Sequence, residues 1–588
     1  MDTVLIWFLI GALLVFFMQC GFAMVESGFT RAKNTGNILM KNFGDFCVGT
    51  FCFILLGFGI LMGMDSIGKF MGVPNLDIFG CFDTLINGVE GSDEYLAAVD
   101  LGKNFVFNLM FCATAATIVS GAMAERTRYI SYLIYSAVIS LIVYPIEAGW
   151  VWGAGDNAWL AGMGFIDYAG SAAIHTVGGI AALVGIFFLG ARIGKFERDE
   201  KGKVIKVNAI QGHDLTVGAL GVLILWFGWY GFNGAAATTA GELVRILITT
   251  TLAPAAATLV AMIITWIRNK KPDVVMTMNG SLAGLVAITA GCEAVDAVGA
   301  IVIGIIAGVI CVFGTDLLEK VLHLDDCVGA VPVHCFNGIW GTVAVGFFAV
   351  DGGVFYGGGG YLLGVQVAGI LSIAAWTLIC MIILFALIKY VPAMIKFKTV
   401  SPKKLRAYAK DWNGLRASAE EEIIGLDLME HGLTSAYPDF VPSIPSYEGE
   451  GEPVNLSGIK PADIELPATN GKYTKVTVIA PQAKFLTLKD ALAQIGVTGM
   501  TVTNVAGCGV QAGKTGQYRG VKTSMRLLPK IQVDIVVSSV DPKLVVAVAQ
   551  KVLDDGNVGA GKIFVSDVEN VMRVRTGETG MAALDNAK

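Results

Sequence analysis

The sequence predicts an all-α membrane protein that continues into a small α+β domain at its C-terminal end. The chain has 588 residues, of which 54% are hydrophobic and only 15% are charged. A soluble domain of this size cannot bury so much apolar surface. Apolar stretches of about twenty residues, the length of a helix that crosses a bilayer, recur through roughly the first 395 positions. Beyond them, strand-like runs alternate with helix-like runs.

The apolar stretches number eleven, so we predict eleven transmembrane helices. Their centres lie near residues 14, 52, 112, 140, 180, 224, 255, 284, 304, 341 and 376. The weakest boundary separates the eighth stretch from the ninth, because only Glu293 and Asp296 interrupt a long apolar run there. The first stretch has no basic segment before it, which favours a membrane helix over a cleaved signal peptide.

Charges in the loops predict the orientation of the helices. The loop 192–211 carries six Lys and Arg residues, whereas the loop 65–100 is almost purely acidic. Basic loops tend to stay in the cytoplasm. We therefore expect a multi-pass protein of the inner (plasma) membrane, with its N-terminus outside and its C-terminus in the cytoplasm.

Composition divides the chain into four predicted parts. Residues 1–395 form a membrane domain, 396–440 a polar cytoplasmic region, 441–471 a flexible linker rich in Pro, Gly and acidic residues, and 472–588 a soluble domain. The soluble domain has strand-like runs at 474–479, 501–505, 531–538 and 562–566, and helix-like runs at 488–495 and 543–553. This βαββαβ order is typical of a ferredoxin-like fold.

A weak internal repeat surrounds two histidines in the fifth and tenth apolar stretches. Gly170 precedes His175 by the same five positions as Gly329 precedes His334, and a Gly-Ile pair follows each histidine at the same distance. An offset of five helices inverts the second copy in the membrane. The sequence therefore predicts an inverted five-helix repeat, an arrangement that places paired sites near the midplane.

Two histidines inside apolar stretches also predict a pathway. Ionisable groups at that depth usually face a pathway or each other, and the repeat would bring His175 and His334 face to face. Neutral imidazoles can share a proton along their ring nitrogens. Such a pair would admit a small molecule that releases and regains a proton, since desolvation favours the neutral form of an ammonium-like ion. The alternative is two core histidines that each bond a backbone carbonyl.

Several motifs resemble the ammonium transporter (Amt) family over roughly residues 1–437. They are 121–126 (GAMAER), 167–175 (DYAGSAAIH), 226–233 (WFGWYGFN), the run from Asp325-Asp326 to Val333-His334, and the tail 420–432 (EEEIIGLDLMEHG). The resemblance implies a homotrimer with one pore in each subunit. It also implies pathway residues: the vestibule residues Phe107 and Trp152, the phenyl gate Phe111 and Phe232, the twin histidines His175 and His334, and the entrance carboxylate Asp167.

One departure from the family concerns the outer ammonium site. The family often has Ser there, and this chain has Ala236. A charge-assisted hydrogen bond of about 1.5–3 kcal/mol is then missing. We expect weaker binding at that site, or a water molecule in place of the hydroxyl.

The soluble domain resembles the PII signalling proteins over roughly residues 473–588. The segments 509–511 and 518–520 match their T-loop, 556–562 (GNVGAGK) matches their B-loop, and 573–580 (RVRTGETG) closes the resemblance. A Walker A interpretation of 507–515 fails, because Cys508 stands where that motif needs glycine. Thr523 replaces the tyrosine that the family often modifies, and Val510 and Ala560 replace common neighbours of the ligands.

The second resemblance implies that ATP or ADP, 2-oxoglutarate and Mg²⁺ carried by ATP bind to the soluble domain, with no separate metal site in the protein alone. The implied ligand residues are Thr501, Gly509, Gln511, Lys530, Gly559, Gly561, Lys562, Arg573 and Arg575. Tyr518 and Arg519 would lie at the tip of a loop that docks on the membrane domain and blocks its pore.

Together these observations predict a transporter rather than an enzyme: ammonium would cross the membrane through the twin-histidine pore, under control of the attached PII domain. The net charge of −6 and the lack of a basic tract argue against nucleic acid as a partner. Two alternatives remain. One is an ammonium sensor with little flux that signals through the PII domain, and the other is a channel for a neutral gas.

Overall fold

The computed structural model describes residues 3–63, 66–154, 157–433, 435–437, 473–507, 515–518, 521–524, 528–554 and 560–584, with the single positions 456, 459, 461 and 556. The chain forms two compact units. The first contains Met1–Arg192 and Gln211–Ser418, and the second contains Ile193–Ile210 and Ala419–Lys588. The four predicted parts of the chain are not tested by this division and stay a prediction.

The first unit, called the membrane unit below, consists mainly of long apolar helices. In chain order the apolar helices are α1 (Thr3–Gly28), α2 (Ala32–Met62), α3 (Asp93–Ala122), α4 (Tyr129–Trp152), α5 (Ser171–Leu189), α6 (Leu215–Gly234), α7 (Ala240–Asn269), α8 (Val274–Ile288), α9 (Ala297–Val321), α10 (Val331–Phe348) and α11 (Tyr361–Phe397). All but α8 are long and apolar enough to cross a membrane, which makes ten in the described part of the chain. Two shorter helices, Asp77–Asn87 and Trp159–Gly162, lie in the connections.

The number eleven is therefore supported only in part. The predicted eighth stretch folds as α8, which has 15 residues and is shorter than the others. At 1.5 Å per residue it spans about 22 Å, less than the roughly 30 Å of a bilayer core. It ends in turns at 289–294, next to the boundary that the sequence marks as weak.

Helix starts in this unit follow from short polar residues at the N-cap position, where a side-chain oxygen accepts a free backbone N–H. The caps are Ser92 for α3, Asp214 for α6, Thr239 for α7, Asp273 for α8 and Asp296 for α9.

Close packing of the helices needs small residues, since lipid gives helices no hydrophobic reason to associate. A Cβ on Gly304 of α9, for example, would lie 2.1 Å from the carbonyl oxygen of Ala253 in α7.

A buried ion cluster ties the connections at one end of the membrane unit. Arg192 donates from Nε and Nη2 to the two carboxylate oxygens of Asp325, both at 2.9 Å. Arg31 donates from its backbone N–H and its Nε to the two oxygens of Glu125, at 2.8 and 2.5 Å. Arg126 donates to the carbonyl oxygen of Asp325 at 2.6 Å. These contacts join the segments that follow α1, α3, α5 and α9.

The charges in this cluster are matched. Burial raises the pKa of Glu125, but Arg31 and Arg192 outweigh it and lower that pKa to about 2. Burial also raises the pKa of Asp325, and Arg192 and Arg126 bring it well below its usual range. Both carboxylates are therefore ionised at neutral pH, and they contribute their full stabilisation there.

The second unit contains a four-stranded antiparallel sheet with two helices. Its strands and helices are β1 (Phe196–Arg198), β2 (Val204–Val207), α12 (Ala419–Ile424), α13 (Leu426–His431), β3 (Thr474–Pro481), α14 (Phe485–Gln494), β4 (Thr501–Gly507), β5 (Thr515–Tyr518), β6 (Val521–Ser524), β7 (Leu528–Val537), α15 (Pro542–Leu553) and β8 (Lys562–Asp567). The sheet order is β8-β3-β7-β4. Two further helices are Pro402–Asp411, which belongs to the first unit, and the short Met581–Leu584, which belongs to the second.

Alternating residues place one face of this sheet against its two helices. In β3 the buried positions are Thr474, Val476, Val478 and Ala480, and the residues between them are half-buried. Leu488 of α14 and Val545 of α15 are fully buried in the same core. The predicted βαββαβ order is present, with each strand within about three residues of its predicted bounds. The ladder of β5 and β6 between β4 and β7, and the hairpin of β1 and β2, were not predicted.

Replacing Asp325 by Asn should destabilise the membrane unit. The change leaves Arg192 buried beside an uncharged group, and breaking a buried ion pair in this way costs about 3–5 kcal/mol. We expect the apparent melting temperature of the detergent-purified protein to fall by about 5 °C or more. The control is Asp316→Asn, which removes a partly exposed carboxylate that pairs with Arg268 and Lys320. Its effect should stay below about 1 kcal/mol; an equal shift in the two variants would contradict the expectation.

Candidate functional site

His175 lies in the first turns of α5, where the local sequence fixes its direction. Gly170, just before the helix, has φ +105°, a conformation that glycine adopts without strain. One oxygen of Asp167 then accepts the backbone N–H groups of Ala172 and Ala173, at 3.1 and 2.9 Å. The helix opens with a π-helical turn, Ser171–Thr176, and such turns are frequent at functional sites.

His334 has the same setting in α10. Gly329 has φ +84°, and the helix opens with the π-helical turn Val331–Phe336. Asp326 accepts the backbone N–H groups of Gly329 and Val331, at 3.0 and 2.7 Å. Asp326 precedes His334 by the same eight positions as Asp167 precedes His175. The sequence comparison of the two segments used the glycines and missed this aspartate, although its offset was visible.

Two glycines bring the segments together. A Cβ on Gly179 of α5 would lie 2.2 Å from the backbone nitrogen of Cys335, and a Cβ on Gly338 of α10 would lie 2.5 Å from Oγ1 of Thr176. Each glycine thus meets the residue that follows the opposite histidine. No side chain fits at either position.

The approach places the two imidazoles in direct contact. Their Nδ1 atoms are 3.2 Å apart, and their ring centroids are 5.2 Å apart. His175 is 0% exposed and His334 is 5% exposed. In this contact one Nδ1 carries a proton and the other accepts it, and either ring can take either role. Among the described residues, neither ring bonds a backbone carbonyl, and Nε2 of His175 has no hydrogen-bond partner.

A column of aromatic rings leads to the imidazole pair from one side. Its centroid distances are 4.3 Å from Phe107 to Phe111, 4.5 Å from Phe111 to Phe232, and 5.5 Å from Phe232 to His175. Trp152 lies beside the column, 5.7 Å from Phe111. The rings come from α3, α4, α5 and α6, so four helices position them.

Three further rings adjoin the column or the imidazole pair, and the sequence analysis missed them. Phe8 of α1 is 4.7 Å from Phe107, Trp229 of α6 is 5.0 Å from His175, and Phe22 of α1 is 6.2 Å from His334. Trp229 falls within the motif 226–233, which could have pointed to it. Nothing in the sequence distinguishes Phe8 or Phe22 from the other aromatic residues of the apolar stretches.

Asp167 supports the column rather than lining it with a free charge. Its backbone oxygen accepts the indole N–H of Trp152 at 3.0 Å, while its carboxylate caps α5. Burial raises the pKa of Asp167 to about 6, although the backbone N–H groups act in the opposite direction. Ala236 lies exposed, two residues beyond Gly234 at the end of α6.

The predicted ligand residues of the soluble domain are only partly described. Gly509, Gln511, Arg519 and Gly559 lie outside the described residues, as do the T-loop positions next to them and most of the predicted linker. Tyr518 ends β5.

Of the predicted ligand residues that the structure describes, Thr501, Lys530 and Lys562 lie in strands of the sheet, and Gly561 comes directly before β8. Lys530 pairs with Val505 and Pro481 in the sheet, Lys562 pairs with Ile479, and Thr501 pairs with Asp534. Gly561 has φ +152°, and a Cβ there would lie 2.5 Å from the carbonyl oxygen of Ile479. Only glycine therefore lets the backbone pass at this point.

The C-terminal arginines follow β8. Arg573 donates to Glu578 at 2.8 Å, and Arg575 is exposed. Within the described ranges, no group of three or more His, Cys, Asp or Glu side chains could hold a metal ion.

Substituting Gly179 by Ala should disturb the contact of α5 with α10. The added methyl group overlaps the backbone at Cys335, and overpacking of this kind costs about 1–3 kcal/mol or more. We expect a lower apparent melting temperature in detergent. Gly364→Ala in α11 is the matched control, since a Cβ there meets no atom within 4 Å. That variant should be neutral or slightly stabilising, because alanine favours a helix; equal melting temperatures for the two variants would refute the packing argument.

Comparison with known proteins agrees with this architecture. The family model described as Ammonium Transporter Family matches residues 6–401, which is more than half of the chain. The family model described as Nitrogen regulatory protein P-II matches residues 473–578. Ammonium transporter Amt2 of Archaeoglobus fulgidus is 42% identical over 461 residues, which cover 74% of this chain and 88% of that protein.

Solved structures are similar as well. A structure described as "Sensor Amt Protein" superposes with a TM-score of 0.60 at 31% identity, and covers 73% of this chain and 98% of that one. Candida albicans Mep2 superposes with a TM-score of 0.59 at 26% identity, and covers 76% of this chain and 93% of that one. The chain therefore belongs to the ammonium transporter family, and its C-terminal part is a P-II domain.

Proposed function

We propose that the protein transports ammonium across the cell membrane through a pore that contains the twin histidines, and that its PII domain gates this pore. The observation that carries the proposal is the contact of two buried imidazoles, Nδ1 to Nδ1 at 3.2 Å, at the end of an aromatic column. Family membership and the transporter function named for relatives support the substrate.

The pathway would work by separating a proton from its carrier. Ring faces of Phe107 and Trp152 attract a cation at the vestibule, and Ala236 leaves the outer site without a hydroxyl. Stacked Phe111 and Phe232 close the way to hydrated ions. Beyond them, desolvation favours ammonia over ammonium, and the imidazole pair can pass the proton along its ring nitrogens.

In the proposed membrane arrangement, α1–α11 cross the bilayer as an inverted five-helix repeat, with the N-terminus outside and the PII domain in the cytoplasm of an inner-membrane protein. The repeat is supported by the shared Asp, Gly and His spacing of α5 and α10, and by the reciprocal approach of Gly179 and Gly338. The functional assembly would be a homotrimer.

Regulation would depend on ligands of the PII domain. ATP or ADP, with Mg²⁺ and 2-oxoglutarate, would bind to Thr501, Gly509, Gln511, Lys530, Gly559, Gly561, Lys562, Arg573 and Arg575. Three PII domains on a three-fold axis could engage three pores at once. The predicted linker 441–471 would hold the domain at an effective concentration on the order of millimolar. ADP would favour a docked state in which Tyr518 and Arg519 block the pore, and ATP with 2-oxoglutarate would release it.

A second candidate function is an ammonium sensor that signals through the PII domain. One similar solved structure, at 31% identity, is described as a sensor Amt protein, which supports this alternative. The two functions differ in flux. Saturable uptake of labelled methylammonium into proteoliposomes, well above that of protein-free liposomes, is expected of a transporter and not of a pure sensor.

Trp152→Leu tests the substrate. A cation held against a ring face gains about 0.5–2 kcal/mol, so its loss should raise the half-saturating methylammonium concentration by about 2- to 30-fold in proteoliposomes. Trp152→Phe keeps a ring face without the indole N–H and should remain closer to the wild-type value. A channel for a neutral gas would be indifferent to both variants, and unchanged half-saturation in Trp152→Leu would therefore favour that alternative.

Arg519→Ala tests the gate. In wild-type proteoliposomes, ADP should slow uptake, and ATP with 2-oxoglutarate should restore it. Arg519→Ala should abolish the inhibition by ADP while uptake without nucleotide stays at the wild-type rate, because the blocking side chain is gone. Lys551→Ala on α15 removes another positive charge of the same domain and should retain the inhibition. If ADP inhibited the Arg519→Ala protein as it does the wild type, this loop would not be the gate.

A further inference from the structure

A cavity adjoins the histidine pair on the side away from the aromatic column. Phe22, Val25, Glu26, Gly121, Val328 and His334 contribute to its wall. Gly121 follows Phe111 on α3 by ten positions, about 15 Å along the helix axis, so the cavity and the column lie on opposite sides of the imidazoles. It has room for a few water-sized molecules.

Glu26 is the acidic side chain of this wall. It lies in α1 and is 2% exposed. Its Oε2 atom accepts hydrogen bonds from Oγ of Ser120 at 2.6 Å and from Nδ2 of Asn42 at 3.2 Å. Its Oε1 atom is buried and has no hydrogen-bond partner among the described residues. A Cβ on Gly121 would lie 3.2 Å from Cγ of Glu26, so the glycine leaves room for this side chain at the cavity.

Lys41 is the positively charged neighbour of Glu26, and it does not occupy Oε1. Lys41 is 0% exposed and donates to the backbone oxygen of Ser120 at 3.0 Å, so that Ser120 links it to Glu26. On its other side Lys41 lies 5.2 Å from the centre of the Tyr132 ring, and the Tyr132 hydroxyl donates to Asp45 at 2.6 Å. Lys41 and Glu26 form no ion pair within 4.0 Å in the described part of the chain.

A buried carboxyl group with one bonded and one open oxygen is incomplete as a structural hydrogen-bonding group. Unpartnered polar atoms in a buried site are costly, and ionisable groups at membrane depth generally belong to a transport pathway. Glu26 lines a cavity that also reaches His334. A small cation with N–H groups would supply the missing donor.

We propose that Glu26 forms an inner binding site for ammonium, in which Oε1 accepts a hydrogen bond from the cation beyond the histidine pair. The site takes small N–H cations such as ammonium and methylammonium. The inference rests on the proposed transport function and adds to it a second cation site, at the end of the pathway that faces the cytoplasm in the proposed orientation.

The test compares uptake of labelled methylammonium from the two faces of the membrane. Inside-out vesicles from cells expressing the full-length protein present the cytoplasmic face, and right-side-out vesicles present the outer face. ATP and 2-oxoglutarate are present throughout, and vesicles without the protein give the background. Glu26→Gln keeps an oxygen for Ser120 and Asn42 but can turn an NH₂ group, a donor, towards the cavity. Asp45→Asn makes the same change from carboxyl to amide at the neighbouring Asp45, which is not part of the cavity wall.

We expect Glu26→Gln to raise the half-saturating methylammonium concentration at the cytoplasmic face by about tenfold or more, and to change it by less than about threefold at the outer face. Asp45→Asn should stay within about threefold at both faces. Glu26→Asp keeps the carboxyl group but withdraws it by one methylene group, and should give an intermediate value. Because an unfolded protein loses uptake from both faces, retained uptake from the outer face shows that a variant is folded.

Two outcomes would overturn the inner site. One is wild-type half-saturation in Glu26→Gln at the cytoplasmic face. The other is an equal increase in Glu26→Gln and Asp45→Asn, which would assign the effect to the loss of either nearby carboxyl group rather than to a site at Glu26. In both, saturable wild-type uptake leaves the proposed transport function standing. Wild-type vesicles that take up no more methylammonium than the background would overturn the transport function, and the inner site with it.

Discussion

The contact between the first turns of α5 and α10 is the constraint on which the functional site depends. Gly179 and Gly338 lack the side chains that would separate the two helices. The helices therefore pack so closely that the two histidines come into contact. Asp167 and Asp326 fix where each helix begins by accepting its first N–H groups. Since lipid gives helices no hydrophobic reason to associate, this packing and hydrogen bonding must hold the imidazoles together.

Buried carboxyl groups in the membrane unit have two different kinds of hydrogen bonding. Both oxygens of Asp325 accept bonds from Arg192, and both oxygens of Glu125 accept bonds from Arg31. Since both oxygens of each carboxylate are bonded to an arginine, their effect is to hold the connections between helices. Glu26 accepts bonds through one oxygen only. Among the described residues, Glu26 differs from these two carboxylates in combining an unbonded oxygen with a place in a cavity wall.

The sequence predicts those features of the fold and the site that a physical constraint turns into a residue pattern. Bilayer thickness fixes the length of an apolar stretch, so ten long helices are visible, and alternation with a period of two reveals the sheet of the PII domain. The shared spacing around His175 and His334 identified the pair. Phe8 and Phe22 could not be identified, because a phenylalanine that faces lipid and one that faces a pathway look the same in an apolar stretch. Glu26 was missed because a single acid near the end of a helix carries no information about its second oxygen.

The hairpin of β1 and β2 lies far in sequence from the rest of its compact unit. No sequence pattern predicted that these two parts of the chain belong together. Ile193–Ile210 interrupts the membrane unit between α5 and α6, yet it belongs to the same compact unit as Ala419–Lys588. One contact within that unit is the backbone N–H of Ile193, which donates to Oε1 of the buried Glu422 of α12 at 2.7 Å. The preceding residue, Arg192, is fixed by Asp325 in the other unit. Adjacent residues are therefore anchored in different units, and α5, which carries His175, leads directly to this junction.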